Sequence, residues 1–170
     1  LCDHIVFNSM KQWRKYRGRV RECGRNIECG LRVNPGYSEV EVELYNPCAS
    51  GSRLGVSRKY IDASDLEGIS GLHFHTMCEQ NADTLKRTLP HLEANFGDLM
   101  PKMKWINFGG GHHITRPDYD IETLVECINR IQNQYQVQVY LEPGEAVALN
   151  TGFLVSEVLE VNEYDIPVAI

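Results

Sequence analysis

The pattern of apolar positions changes its period repeatedly along the chain. Short apolar runs, and runs in which apolar and polar residues alternate, are typical of β-strands. Such runs occupy residues 5–7, 27–33, 71–77, 105–108, 137–141 and 153–160. The pattern therefore predicts six strands, separated by segments of a different character.

Three helices are predicted between these strands. Ser9 is followed three residues later by Gln12, the spacing of a capping box, which predicts a helix from Met10 to about Tyr16. Apolar residues recur at helical spacing over 82–96, where Pro90 predicts a bend or a break. The most regular helical repeat predicts the third helix and consists of Ile121, Leu124, Val125, Ile128 and Ile131.

Alternating strands and helices predict a parallel sheet, either a β/α barrel or a doubly wound sheet. In both architectures, functional loops follow the C-terminal ends of the strands. The unusual residues lie at these positions: Asn8, Arg32, Asn34, His73, His75, the 109–113 turn and the 142–144 turn. Residues 37–53 lack a clean period, which predicts a long functional or mobile loop. A complete barrel needs about eight strands, more than this chain shows, so the strand pattern leaves both architectures open.

Composition and charge narrow the functional classes. The 170 residues carry a formal net charge of −6, which disfavours a nucleic-acid binder. No apolar run is long enough to span a bilayer, so no membrane association is expected. The six cysteines form no C-x-x-C pair, which predicts reduced thiols in a cytoplasmic protein. Cys48 and Cys78 lie in loops near candidate site residues, where space-filling is the commoner role.

Two turns at predicted strand ends carry candidate chemistry. Gly109, Gly110 and Gly111 allow a sharp turn whose consecutive N–H groups could bind an anion such as phosphate, although a flexible turn without a ligand has the same sequence. Glu142 precedes Pro143 and Gly144, which could hold its carboxylate rigidly at the edge of the sheet. A solvated surface turn is the alternative interpretation.

Four of the six histidines lie beside two predicted strand ends. His73 and His75 alternate along one strand and share a face, while His112 and His113 follow the glycines. Each of them alone is more commonly a packing residue. Together they permit a metal-dependent barrel hydrolase with His73, His75 and His112 or His113 as ligands, completed by Glu142 or Glu79.

Four segments of the chain resemble a known family. They are residues 30–55, 71–85, 105–120 and 140–155, and they follow the family's order along nearly the whole chain. The family is that of the fold-type III pyridoxal-phosphate (PLP) decarboxylases, the alanine-racemase-like group that includes ornithine and diaminopimelate decarboxylases. The segments resemble in particular the decarboxylases of carboxynorspermidine and carboxyspermidine.

The resemblance implies a role for each candidate residue. His75 matches the histidine that stacks on the cofactor ring, and Glu142 matches the carboxylate that bonds the pyridine nitrogen. Gly109, Gly110, Gly111 and Gly144 match the phosphate site. Arg32 matches an arginine near the ring. The implied cofactor is pyridoxal 5'-phosphate, the implied substrate is a small cationic carboxylated polyamine in polyamine biosynthesis, and the implied full-length enzyme is a homodimer.

The resemblance covers the central part of the family's sequence and implies an α/β fold that forms part of a (β/α)8 barrel of the alanine-racemase and ornithine decarboxylase type. It assigns residues 1–152 to central and C-terminal βα units of the barrel, and residues 153–170 to the segment that leads to a C-terminal β-domain. The family's Schiff-base lysine would precede Leu1, and none of the lysines here has a matching context. We therefore expect this chain alone to be inactive. A non-catalytic PLP-binding barrel is a further alternative.

Overall fold

A five-stranded parallel sheet forms the centre of the molecule. The computed structural model describes residues 2–163 and 165–170. The strands are β1 (His4–Phe7), β2 (Glu28–Arg32), β3 (Ile69–His73), β4 (Trp105–Asn107) and β5 (Gln138–Tyr140). They pair in sequential order, β1-β2-β3-β4-β5, and every pair is parallel.

Four α-helices connect or follow the strands: α1 (Met10–Glu22), α2 (Ala82–Phe96), α3 (Ile121–Tyr135) and α4 (Gly144–Ala148). The connection from β2 to β3 contains no α-helix, only short 3-10 turns at Glu43–Tyr45, Arg58–Tyr60 and Ala63–Leu66. Within the described residues, none of the helices is both long enough and apolar enough to cross a bilayer.

The sequential strand order distinguishes a barrel from a doubly wound sheet. A doubly wound sheet reverses its strand order at a switch point, whereas successive strands of a β/α barrel are always neighbours. No reversal occurs among the five strands described here. The sheet is thus a contiguous part of a β/α barrel, as predicted.

The outer face of the sheet packs against the helices. The parallel register aligns Leu31, Leu72, Ile106 and Val139 in one row, and all four side chains are buried. Leu85, Leu89 and Leu92 of α2 belong to the same core. This row is the apolar set that the alternating strand pattern predicts.

The inner face of the sheet is built around Trp105. Gly30, Gly71 and Trp105 are in register on adjacent strands, and the indole lies across the two glycines. The rings of His4 and Tyr140 approach the indole edge-on at 5.3 and 6.1 Å. Because a Cβ atom on either glycine would overlap the indole, this layer requires both glycines.

The α1 helix is longer than predicted, and α2 is continuous through Pro90. The Ser9 side chain caps α1 by accepting from the Gln12 N–H, as the capping pattern predicts, but the helix continues to Glu22. The α2 helix runs through Pro90 without interruption, so the prediction of a break there is wrong. Its buried leucines anchor both sides of the proline, and this packing compensates for the single hydrogen bond that proline removes.

The prediction of a strand at 153–160 is also wrong. These residues form no strand, and Phe153 and Leu154 are almost fully exposed. A two-stranded antiparallel pair follows instead, formed by β6 (Val161–Asn162) and β7 (Val168–Ala169). A strand needs a hydrogen-bonding neighbour along its length, and among the described residues only Leu159 and Glu160 of this segment bond to another segment, at Ile170.

The Trp105 layer provides a test of the fold. We expect Gly71→Ala to lower the free energy of unfolding by about 1–3 kcal/mol, because the added methyl group must displace the buried indole. Gly18→Ala, in the interior of α1 with no atom near the new methyl group, should raise it by about 0.5–1 kcal/mol. Urea unfolding of both variants measures the difference. Equal stability of the two variants would contradict the packing described here.

Candidate functional site

The candidate site begins with one row of the parallel register. Arg32, His73 and Asn107 are aligned at the C-terminal ends of β2, β3 and β4. Strand alternation directs these side chains to the inner face, the same face as Trp105. His75 and Glu142 follow two residues beyond the ends of β3 and β5, so the alternation returns them to that face.

Glu142 is held through both of its carboxylate oxygens. The Asn107 side-chain amide donates to Oε1 at 2.8 Å. The His73 Nε2 atom lies 3.4 Å from Oε2, and His73 is buried. Burial lowers the pKa of His73, against the opposing effect of Glu142. The carboxylate therefore contacts a neutral amide on one side and, on the other, a histidine whose burial disfavours its protonated form.

The glycine turn is bonded directly to the Glu142 segment. The Glu142 N–H donates to the Gly109 carbonyl at 2.9 Å, and the Gly109 N–H donates to the Asn107 Oδ1 atom at 2.8 Å. Gly109 and Gly111 have φ values of 72° and 83°, in the region that favours glycine. A Cβ on Gly110 would lie 2.7 Å from the Glu142 carbonyl oxygen, so this turn has no room for a side chain.

The turn also presents free backbone donors. Among the residues that the structure describes, the N–H groups of Gly110 and Gly111 donate to no hydrogen bond. Consecutive unpaired N–H groups form a concave anion-binding surface. Two free N–H groups suit an anion, and the phosphate site predicted at this turn stays a prediction.

His75 and Arg32 lie on the other side of the site. The Arg32 guanidinium donates to the His75 carbonyl oxygen at 3.4 Å. Burial is the main cause that lowers the pKa of each residue, and their mutual proximity lowers that of His75 further. His75 is therefore neutral near pH 7, which suits contact with a flat ring.

A cavity of about 750 Å³ opens beside these strand ends. Arg32, His75 and Cys78 line it on the sheet side, and residues 43–54 of the long β2–β3 connection line the other side. Two strand-end asparagines hold that connection in place: Asn8 bonds to Arg53 and Gly55, and Asn34 bonds to Pro47 and Leu54. The predicted long loop thus forms a wall of the cavity.

The remaining predicted residues add no side chain to this network, although the Gly144 N–H donates to the Glu142 carbonyl oxygen at 2.8 Å. Gly144 begins α4, and no atom lies within 4 Å of a Cβ placed there, so its assignment to the phosphate site depends on the resemblance alone. Cys48 is partly buried, donates to the Tyr37 carbonyl oxygen and has a pKa raised by burial. His112 is fully buried, and burial lowers its pKa to about 4.

Among the residues with described positions, two groups of side chains have the spacing of a metal site. His73, His75 and Glu142 form one, and Glu79, His113 and Glu145 form the other, with candidate ligand atoms within 4.8 Å of each other in each group. His112 belongs to neither group. The predicted set of His73, His75 and either His112 or His113 therefore has no geometric support, because His113 belongs to the other group, whereas His73, His75 and Glu142 do lie together.

Asn107 is the site residue that sequence reasoning missed. Its contacts join Glu142 to the glycine turn, yet an asparagine before Phe108 and the glycines has no conspicuous sequence signal. Strand alternation could have identified it, since Asn107 is a polar residue at an inward position between buried neighbours.

The chain is similar over its whole length to known decarboxylases. It is 45% identical over all 170 residues to the carboxynorspermidine/carboxyspermidine decarboxylase of Campylobacter jejuni, of which it covers 44%. It is 40% identical, over 96% of its length, to 42% of the carboxyaminopropylagmatine decarboxylase of Synechocystis. No protein-family model matches the chain.

The solved structures agree with the sequence comparison. Carboxynorspermidine decarboxylase from Campylobacter jejuni, in complex with norspermidine, superposes with a TM-score of 0.81 and 42% identity, over 99% of this chain and 42% of that chain. The chain thus spans less than half the length of the relatives it matches. The resemblance predicted from the four sequence segments is confirmed, and so is the partial barrel.

His112 gives the free energy of unfolding a testable pH dependence. An unfolded histidine titrates near pH 6.5, whereas the pKa of folded His112 is about 4. Between these values His112 binds a proton in the unfolded chain but not in the folded protein. Its contribution to the free energy of unfolding is therefore fully present above about pH 6.5 and is lost as the pH falls. From about pH 7.5 to about pH 5, this residue should cost about 2 kcal/mol of stability.

His112→Phe should remove that contribution, whatever its effect on stability at neutral pH. Urea unfolding at both pH values measures the change. His91→Phe is the matched control, because His91 is exposed and stacks on Tyr37, as a phenylalanine could. An unchanged pH dependence in His112→Phe would contradict this account of His112.

Proposed function

We propose that this chain is the central part of a PLP-dependent decarboxylase that acts on a carboxylated polyamine. The observation that carries the proposal is the network around Glu142. One fixed carboxylate, one half-buried imidazole whose pKa is lowered by burial, and one turn with free N–H groups lie at adjoining strand ends of a barrel. The similarity to two polyamine-related decarboxylases supports the same proposal.

The donor and acceptor groups fit the three parts of the cofactor. The free N–H groups of Gly110 and Gly111 suit its phosphate. Glu142 is fixed through both oxygens and half exposed, so it remains accessible to a pyridinium N–H. The His75 ring lines the cavity, and one of its ring nitrogens lies within 4.8 Å of a Glu142 oxygen, so the ring would lie against the face of the pyridine.

The chemistry divides between cofactor and protein. PLP, when bound, is an electron sink for the electrons that remain after loss of carbon dioxide. Glu142 would keep the ring nitrogen protonated. The turn would anchor the phosphate, and His75 would hold the ring in plane.

The substrate class follows from the relatives and is consistent with the cavity. Both named relatives act on a carboxylated polyamine or a closely related carboxylated amine. The cavity wall combines Arg32 and Arg53, which could bind a carboxylate, with Glu43, which could bind an ammonium group. We propose carboxynorspermidine or carboxyspermidine as substrate, with norspermidine or spermidine as product. We also propose that residues 153–170 lead to a further domain and that the full-length enzyme is a homodimer.

The first experiment uses the complete reading frame that contains this chain. The purified protein should show the absorbance of bound PLP and release carbon dioxide from carboxynorspermidine or carboxyspermidine. Bound PLP without release of carbon dioxide would support the non-catalytic PLP-binding barrel. A protein without PLP absorbance would overturn the proposal.

Glu142→Gln tests the role of the carboxylate. A neutral amide cannot stabilise a protonated ring nitrogen, so we expect kcat to fall by about 100-fold or more, with a smaller effect on KM. Glu145→Gln is the matched control, because it removes a carboxylate three residues away that contacts His113 instead. Equal activity of the two variants would contradict the role assigned to Glu142.

A metal-dependent hydrolase is the second candidate, favoured by the spacing of His73, His75 and Glu142. One carboxylate and two imidazoles are a common zinc ligand set. Metal analysis of the purified protein, with and without a chelator, separates the two functions. Stoichiometric zinc together with a chelator-sensitive hydrolytic activity would favour the metal site over the cofactor site.

A further inference from the structure

Asn107 bonds to both ends of the candidate cofactor site. We propose that this single amide positions Glu142 and the glycine turn relative to each other, and thereby fixes the distance between the group that would hold the ring nitrogen and the group that would hold the phosphate. The inference rests on the proposed function and assigns to Asn107 a role that it fulfils through Glu142 and Gly109. Asn107 is therefore a positioning residue.

The two ends of the Asn107 amide have different partners. Its Nδ2 atom donates to the Glu142 Oε1 atom at 2.8 Å, and its Oδ1 atom accepts from the Gly109 N–H at 2.8 Å. The amide plane is rigid, so an orientation fixed by one partner fixes the geometry offered to the other. The backbone bond from Glu142 to Gly109 closes the same loop of contacts.

The amide is suited to this role because it carries no charge and does not titrate. His73 also contacts Glu142, at 3.4 Å, but a histidine changes its charge with pH and its contact is the longer one. An amide donates and accepts at every pH at which the protein is folded. Asn107 therefore supplies the contact to Glu142 that does not titrate.

A simpler role for Asn107 would be structural. An asparagine that accepts from the N–H two residues later stabilises a turn, and this alone would explain the bond to Gly109. That role predicts no specific effect on Glu142. The two roles separate in a variant that keeps the acceptor and loses the donor.

Asn107→Asp is that variant. An aspartate has the same shape and can still accept from the Gly109 N–H, but its second oxygen faces Glu142 as an acceptor. Two carboxylates at this distance share one proton, so the contact forms again when the pH falls. Asn107→Ala loses both contacts. Asn95→Ala is the matched control. Asn95 lies in α2, and its side-chain amide also bonds to two backbone carbonyl groups.

The experiment uses the holoenzyme expressed from the complete reading frame. It measures the dissociation constant of PLP, its absorbance spectrum and kcat as functions of pH. For Asn107→Asp we expect PLP affinity within about threefold of wild type and kcat about tenfold or more lower at alkaline pH, with recovery as the pH falls. For Asn107→Ala we expect both affinity and kcat to fall about tenfold or more at every pH.

The possible outcomes are distinguishable. Wild-type affinity and kcat in Asn107→Ala would overturn this inference while leaving the proposed function intact. A kcat of Asn107→Asp with the pH dependence of wild type would also overturn it, since Asn107 would then act only on the turn. A wild-type protein that binds no PLP would overturn the proposed function and this inference with it.

Discussion

The parallel register of the sheet is the constraint on which the rest of the structure depends. It aligns Gly30, Gly71 and Trp105 in one inner layer, and two residues later it aligns Arg32, His73 and Asn107 in the next. Because parallel strands all point the same way, a single register sets both layers. The indole layer fills the space below, and the polar layer forms the floor of the candidate site. A slip of one residue in any strand would exchange the polar side chains for leucine, phenylalanine or isoleucine.

Beyond this polar layer, hydrogen bonds rather than apolar packing hold the site residues in position. Glu142 is fixed by two side chains, and its backbone is bonded to Gly109. The glycine turn fits against the segment after β3 so closely that Cβ atoms would collide with backbone there. Each group is therefore positioned by a neighbouring strand end. Such preorganisation is what a site needs if its charges are to act without reorganising.

The sequence predicted the outline of this arrangement well. The five parallel strands and the three longer helices follow from the period of the apolar residues, which records which face of each element is buried. The errors at Pro90 and at 153–160 have a common cause. Local preference indicates what a segment can form, but packing decides whether a proline is tolerated and whether a strand finds a partner.

By itself, the sequence determined the fold class, the family resemblance and the residue types at the strand ends, because these depend on local patterns. Only the tertiary structure decided which of those residues meet. It brought His75 and Glu142 together from segments far apart in the chain, placed His112 outside both candidate metal groups, and revealed Asn107 as the link between Glu142 and the glycine turn. The physical reason is that these contacts run between strands, and their partners are set by register and by alternation across the sheet, which no single segment of sequence contains.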